Sequence, residues 1–344
     1  MVDGARRAYI GSFTAAGGPG IVTAEVDPGS GALTVLSSVD VVQDPSCLAL
    51  APDGKTLYAV SETADGAVAA FRVDGDTPVP AGRPVPVGGS GPTHLGLFAG
   101  HVLTANYGSG SVTAVPVRPD GALARSASGV LRHRGAGPYT PRQQGPHAHH
   151  VQPDPSGRWA VSVDLGTDSV RVCMLTDGAL ALHRETALRP GSGPRHLAFH
   201  PDGSRAYVVN ELSPSVTVCR WDAASGVLTP LSETPVLPGA PAGDAYPSGI
   251  VTSPDGRFVW TATRGEDVLS VLAVEGARGE ELRLVTTVRC GGHWPRALTA
   301  SAGFLYVANE RSGDVTWFAV DPLTGVPRRG GSIRVTAASY VVLD

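Results

Sequence analysis

The chain has 344 residues, 42% of them hydrophobic and only 17% charged, with a net charge of −4. That composition supports a large core and excludes the concentrated basic surface that nucleic-acid binding requires. No window approaches 18 apolar residues and no apolar leader opens the chain, so neither a transmembrane helix nor a secretory signal is expected.

Taken in order, the chain repeats itself. AYIGSFT (8–14) is a short β-rich run, answered after a polar turn by IVTAEV (21–26). The same pair recurs as LYAVSET and AVAAFRV, VLTANYG and SVTAVPV, WAVSVDLG and SVRVCML, AYVVNEL and SVTVCRW, VWTATRG and VLSVLAV, LYVANER and DVTWFAV. One slot of this repeat falls at positions 9, 58, 103, 160, 207, 260 and 306, in steps of 49, 45, 57, 47, 53 and 46. A period near 50 made of several strands, with no helical pattern, predicts a β-propeller of seven four-stranded antiparallel blades. All of residues 1–344 are expected in one such domain, because all-β folds often run this long.

A second series precedes the first: PSCLALAPDG, PTHLGLFAG, PHAHHVQPDPSG, PRHLAFHPDG, PSGIVTSPDG and PRALTASAG. These read as each blade's first strand, closed by a tight turn. There are six, and the missing one should precede AYIGSFT. The run ASYVVLD (338–344) fits it. The C-terminal strand is therefore expected to join the N-terminal blade and close the ring, which removes the exposed edges of an open sheet. The only asparagines, Asn106, Asn210 and Asn309, share one slot at the end of the second strand and read as structural.

First strands line a propeller's channel, so two slots should meet at one mouth. After the opening proline stand Ser46, Thr93, His147, Arg195, Ser248 and Arg296; ending the second strand stand Phe13, Glu62, Tyr107, Leu165, Glu211, Arg264 and Glu310. His147, Arg195, Glu211 and Arg264 come from three successive blades. An imidazole, a carboxylate and two guanidiniums around one cleft suit acid–base chemistry on an anion; a charged, water-filled rim is the plain alternative. Alternation along a strand would put His147 and His149 on one face and His150 on the other. The H-x-H pair lacks a third ligand in the matching slots, and Glu211 is flanked by arginines, so no metal is expected. The loops at 132–146 and 236–247 account for the longest steps, and the first should cover the mouth. Cys47, Cys173, Cys219 and Cys290 have no C-x-x-C spacing and read as buried hydrophobes of a reducing, cytoplasmic protein. Nucleophile-elbow, P-loop and dinucleotide motifs are absent.

The segments PRQQGPHAHHVQPDPSGRWAVSVDLGTDSV (141–170), GSGPRHLAFHPDGSRAYVVNELSPSVTV (191–218) and YPSGIVTSPDGRFVWTATRG (246–265) carry a resemblance. They are similar to the lactonase family of seven-bladed propellers, which includes 6-phosphogluconolactonases and carboxy-cis,cis-muconate lactonizing enzymes. Thr263 stands where the family pattern has asparagine. The resemblance implies a catalytic set of His147, Arg195, Glu211 and Arg264, working without metal or other cofactor; Glu211, held ionised by Arg195 and Arg264, would suit a general base, with His147 sharing that role or protonating the leaving oxygen. It implies hydrolysis of a sugar lactone, 6-phospho-D-glucono-1,5-lactone foremost, in the pentose phosphate pathway of carbohydrate metabolism. The alternatives are lactonization of a muconate-type acid and a non-catalytic ligand- or protein-binding propeller. Arg142, His149 and Arg296 are the expected substrate-binding residues. The expected partner is a small anionic lactone or acid, with no nucleic acid and no membrane, and the chain a monomer or weak homodimer.

Overall fold

The structure is a computed structural model and describes residues 6–276 and 279–344. Seven antiparallel sheets form seven blades, numbered here in chain order. Their innermost strands are Ala338–Leu343, Leu48–Leu50, Pro92–Phe98, Ala148–Pro153, Pro194–Phe199, Tyr246–Thr252 and Pro295–Ser301. Each touches the next and the last touches the first, so they ring one channel. Blade 1 is the expected composite: Ala338–Leu343 pairs antiparallel with Arg7–Ser12, with Tyr9 opposite Val342 and Ile10 opposite Val341. Blade 2 carries a fifth short strand, Val85–Pro86, beside Val79–Pro80.

The repeat slot read from the sequence is the core slot. Tyr9, Tyr58, Leu103, Ala160, Tyr207, Trp260 and Tyr306 are all buried between blades. Large aromatic and β-branched residues suit this position because both faces of every blade are covered, and each aromatic buries a large area. The P-D-G turns close as expected: the amides of Gly54, Gly203 and Gly256 each bond a carbonyl three residues back at 2.9 Å. Their φ angles of 69°, 71° and 73° are left-handed, which is why glycine stands there. All four cysteines are free and buried, and burial pushes each thiol up to about 12.

Two readings need correction. The asparagines do not serve backbone groups; each Nδ2 donates to side chains of the next strand, as Asn210 does to Ser215 at 2.9 Å and Thr217 at 3.0 Å. The opening of the innermost strand also holds a β-bulge. Pro92, Ala148, Pro194 and Pro295 pair with Asn106, Asp164, Asn210 and Asn309, leaving Thr93, His149, Arg195 and Arg296 as the extra residues. The counterpart of Arg195 in blade 4 is therefore His149, and His147 lies two residues earlier. There its carbonyl accepts the Leu165 amide at 3.0 Å, as Gly193 accepts Glu211 and Trp294 accepts Glu310 in their blades.

Candidate active site

A bulge re-aims the side chain of its extra residue. In blade 5 it turns Arg195 toward Glu211, which ends the neighbouring strand of the same blade. Arg195 Nε lies 3.1 Å from Glu211 Oε2, and Arg264 of blade 6 brings Nη2 to 2.7 Å from the same oxygen. Arg142, on the 132–146 loop, donates Nη2 to Glu211 Oε1 at 2.8 Å. Glu211 is 2% exposed. Burial alone would raise its pKa, but Arg264, Arg195 and Arg142 together overcome that and hold the carboxyl at about 2. Arg195 gains less: burial and the charge of Arg264 pull it down to about 9, because it faces cations as well as Glu211. Two partners of one ion pair thus move by different causes, and Glu211 is the one firmly fixed, since three cations converge on it.

His147 sits beside this clamp. Its ring stacks on Tyr107 with centroids 4.3 Å apart and an 18° interplanar angle. Its Nδ1 lies 2.9 Å from the Tyr107 carbonyl oxygen. A carbonyl only accepts, so Nδ1 carries a proton and Nε2 is the ring nitrogen left for proton transfer. The Tyr107 hydroxyl accepts from Arg142 Nη2 at 3.2 Å, so one tyrosine joins the imidazole to the loop arginine. The loop reaches the mouth as expected. It is pinned by Gln143, fully buried, whose Nε2 donates to Leu165 O and Asp168 Oδ1, each at 2.8 Å.

Arg296 belongs to a second cluster across the mouth. It meets Glu62 at 3.4 Å and Glu310 at 3.3 Å and covers the Phe13 ring at 4.7 Å. Ser46 Oγ donates to Glu62 through a short contact, and burial raises the Glu62 pKa. The charge of Arg195 acts on Glu62 and that of Arg296 on Glu211, so the two clusters share one mouth. Four guanidiniums face three carboxylates there, leaving at least one positive charge in surplus. Glu62, Glu310, Tyr107 and Trp294 were not singled out from the sequence. Trp294 holds a left-handed φ of 66°, unusual for so bulky a residue, and packs against Arg264 at 5.7 Å and Arg311 at 3.3 Å. Strain of that kind collects at functional sites.

His149 does not stand on the rim. It is 6% exposed and lies under Tyr107, 5.4 Å from that ring and 5.2 Å from His196. The bulge breaks the expected alternation, so His150 also turns into the channel, 4.0 Å from His94 and 4.7 Å from His196. The available signal was P-T-H, H-A-H-H and P-R-H in three successive blades, which places His94, His150 and His196 in one slot. Below this layer the channel opens into a cavity of about 460 Å³ lined by His94, His150, His196, Gln152, Thr299 and Tyr340, among others. Burial first, and then Arg195, drives these imidazoles neutral: His94 falls to about 3, and His149, His150 and His196 lie well below their ordinary value. Among the described residues, no group of three or more His, Cys, Asp or Glu is arranged to hold a metal ion.

Fold and site together define a seven-bladed propeller whose mouth gathers a histidine, a tyrosine and three guanidiniums around one buried carboxylate. The chain belongs to the Lactonase, 7-bladed beta-propeller family, whose model matches residues 7–343. It is 34% identical over 324 residues to the 6-phosphogluconolactonase of Bacillus subtilis (strain 168), covering 92% of each chain. A periplasmic gluconolactonase of Pseudomonas aeruginosa superposes with a TM-score of 0.90 at 30% identity, covering 98% of each chain. A Bacteroides fragilis protein does so at 0.91 and 29%, covering 100% of this chain and 99% of its own.

Proposed function

We propose that the chain hydrolyses an anionic sugar lactone, 6-phospho-D-glucono-1,5-lactone foremost, without a metal, through His147, Arg195, Glu211 and Arg264. The observation that carries this reading is the His147 ring, whose Nδ1–H is tied to the Tyr107 carbonyl and whose stacking partner Tyr107 accepts from Arg142, one of the three guanidiniums gathered on Glu211. Water attacking the lactone carbonyl must lose a proton, and Nε2 is placed to take it. The carbonyl oxygen gains negative charge as the carbon becomes tetrahedral. Arg195 Nη1 donates to the Ser248 carbonyl and Arg264 Nε to that of Tyr246, and a further guanidinium N–H of either can donate to the lactone oxygen. Collapse breaks the ring C–O bond, and the imidazolium returns its proton to the departing oxygen. Glu211, held near 2, is a weak base at neutral pH; its role is to fix the guanidiniums. The surplus positive charge favours a phosphorylated or carboxylated substrate over a neutral one, with Arg142 and Arg296 the arginines placed to hold the anion. His149, under the rim, bounds the site from below. Four free, buried thiols support work in the reducing cytoplasm.

The test is loss of freshly made 6-phosphogluconolactone above its spontaneous rate, with EDTA present, alongside glucono-1,5-lactone and a carboxymuconate. Rapid, EDTA-resistant turnover that prefers the phosphorylated lactone and disappears in His147→Ala supports the proposal. A preference for the unphosphorylated lactone, as the Pseudomonas aeruginosa neighbour's name would suggest, moves the substrate and keeps the chemistry. Turnover of the muconate alone replaces the reaction.

A further inference from the structure

Blade 4 departs from its siblings at one buried place. Blades 3, 5 and 7 end the second strand with asparagine, which donates Nδ2 to the residue five positions on and to a threonine seven positions on. Asn106 reaches Ser111 at 3.1 Å and Thr113 at 2.9 Å, and Asn309 reaches Asp314 at 2.8 Å and Thr316 at 3.0 Å. Blade 4 has Asp164, Ser169 and Arg171 in these positions. A carboxylate has no proton to donate, so the donor has moved to the other side: Arg171 Nη1 lies 3.0 Å from Asp164 Oδ2. Asp164 is 0% and Arg171 2% exposed. Burying an ion pair where three siblings use an asparagine and a threonine brings no assured gain in stability. The pair must be explained by what else the carboxylate touches.

Its second oxygen answers this. Asp164 Oδ1 accepts the amide N–H of His147 at 2.9 Å, of Gly166 at 3.0 Å and of Thr167 at 3.1 Å. Oδ2 takes Arg171 and also His133 Nδ1, at 2.6 Å. The sibling amides do nothing of the kind: Asn106 Oδ1 accepts the Thr104 hydroxyl at 2.9 Å, and Asn210 and Asn309 leave Oδ1 without a partner. In blades 5 and 7 the equivalent amides, those of Gly193 and Trp294, are taken by Asp168 and Asp267 from the preceding blade, each at 2.8 Å; in blade 4 the residue ending the second strand does this itself, and there the amide is that of His147.

We propose that Asp164 is a positioning residue for His147, with Arg171 and His133 holding its carboxylate so that Oδ1 fixes the His147 backbone. The inference rests on His147 being the base of the proposed reaction. With its amide bound to Asp164 and its Nδ1–H bound to Tyr107, the imidazole is held at both ends and Nε2 keeps one direction. A hydrogen bond to a carboxylate is roughly twice as strong as one to a neutral amide. The sibling pair would supply a single amide oxygen to serve both His133 and His147.

The test grafts the sibling pair: Asp164→Asn/Arg171→Thr in the full chain. Because three blades already fold with asparagine and threonine there, Tm should stay within a few degrees of wild type. KM for the lactone should change by less than about twofold while kcat falls about tenfold to a hundredfold, the signature of a displaced base. Independently of activity, the His147 ring signals of ¹⁵N-histidine-labelled protein, assigned by their loss in His147→Ala, should shift or broaden. Should the graft fail to fold, Arg171→Gln carries both measurements, with smaller changes in the same direction. Wild-type kcat with unmoved His147 signals overturns the proposal, and so does a fall in Tm with kcat and KM changing together. If wild type opens no lactone, the functional reading fails, and the ring signals alone decide the positioning.

Discussion

The channel histidines make a strong demand on the protein's acid stability. His94, His149, His150 and His196 are held neutral by burial and by Arg195, His94 down to about 3. In the unfolded chain each titrates near 6.5. Their folded values are depressed, so the unfolded state binds more protons below that point. The stability they contribute is complete above about pH 6.5 and is lost as pH falls from there toward about 3. Well below 6.5 each imidazole costs about 1.4 kcal/mol per pH unit, and four together cost about 5 kcal/mol per unit. Against a typical stability of about 5–15 kcal/mol, cooperative unfolding should fall between about pH 5.5 and pH 4. Urea titrations by tryptophan fluorescence at half-unit steps from pH 7.5 to 5 measure the slope directly. His94→Gln should lower it by about 1.4 kcal/mol per unit, and adding His150→Gln by the same again. A wild-type slope between pH 6 and 5 of about 1.4 kcal/mol per unit or less would mean that at most one of the four excludes protons, and the reading of a neutral cluster would be wrong.

The rim makes three further demands. His147→Ala should lower kcat about 10²–10⁴-fold with little change in KM, in steady-state lactone assays. Glu211→Gln removes the anion on which three guanidiniums converge: a carboxyl moved from 4.5 to about 2 gives a ceiling of about 3 kcal/mol. That contribution is present above pH 4.5 and lost as pH falls through about 2. Calorimetry at pH 7 should therefore show Tm lowered by up to about 4 °C for a chain of this length, and an unchanged or raised Tm would refute the clamp. Tyr107→Phe keeps the stack on His147 but removes the acceptor of Arg142, so KM for a phosphorylated lactone should rise about threefold to tenfold at near-constant kcat.

The architecture was readable because a propeller repeats the same physical problem seven times. Each blade buries an apolar residue at the Tyr58, Tyr207 and Tyr306 slot, an aromatic in five of the seven, and the P-D-G turns need a left-handed residue such as Gly203, so period and punctuation survive in one sequence. The C-terminal strand was readable for the same reason, since ASYVVLD supplies the pattern blade 1 lacks. The proximity of Arg195, Glu211 and Arg264 followed from slot logic alone. What failed was the two-residue period at the strand openings. One extra residue in the bulge shifts every side chain before it relative to every one after it, so His150 was sent to the wrong face; His147 and Arg195 were equated wrongly because Pro146 stands two residues ahead of Ala148, the blade 4 counterpart of Pro194. Glu62 stands in a slot that was read, yet nothing local marks it; its cationic partner Arg296, which also holds Glu310, comes from a strand far away in the chain.

The bulge also explains why function gathers where it does. A regular strand offers one channel-facing residue every second position, which in a ring of seven crowds the axis with equivalent side chains. At Arg195–His196 the bulge turns two consecutive residues toward the channel, one at the level of the rim and the next below it; at His149–His150 both join the layer beneath the rim. A charged upper layer can then lie on a neutral imidazole layer without either side chain crossing a blade. The neutral layer bounds the mouth from below with low-dielectric material, which strengthens the field of Arg195 and Arg264 at the place where an oxyanion would form. The acid sensitivity predicted for the histidines and the catalytic use proposed for the arginines then trace to one backbone irregularity, and the His94→Gln and His147→Ala experiments probe its two levels separately.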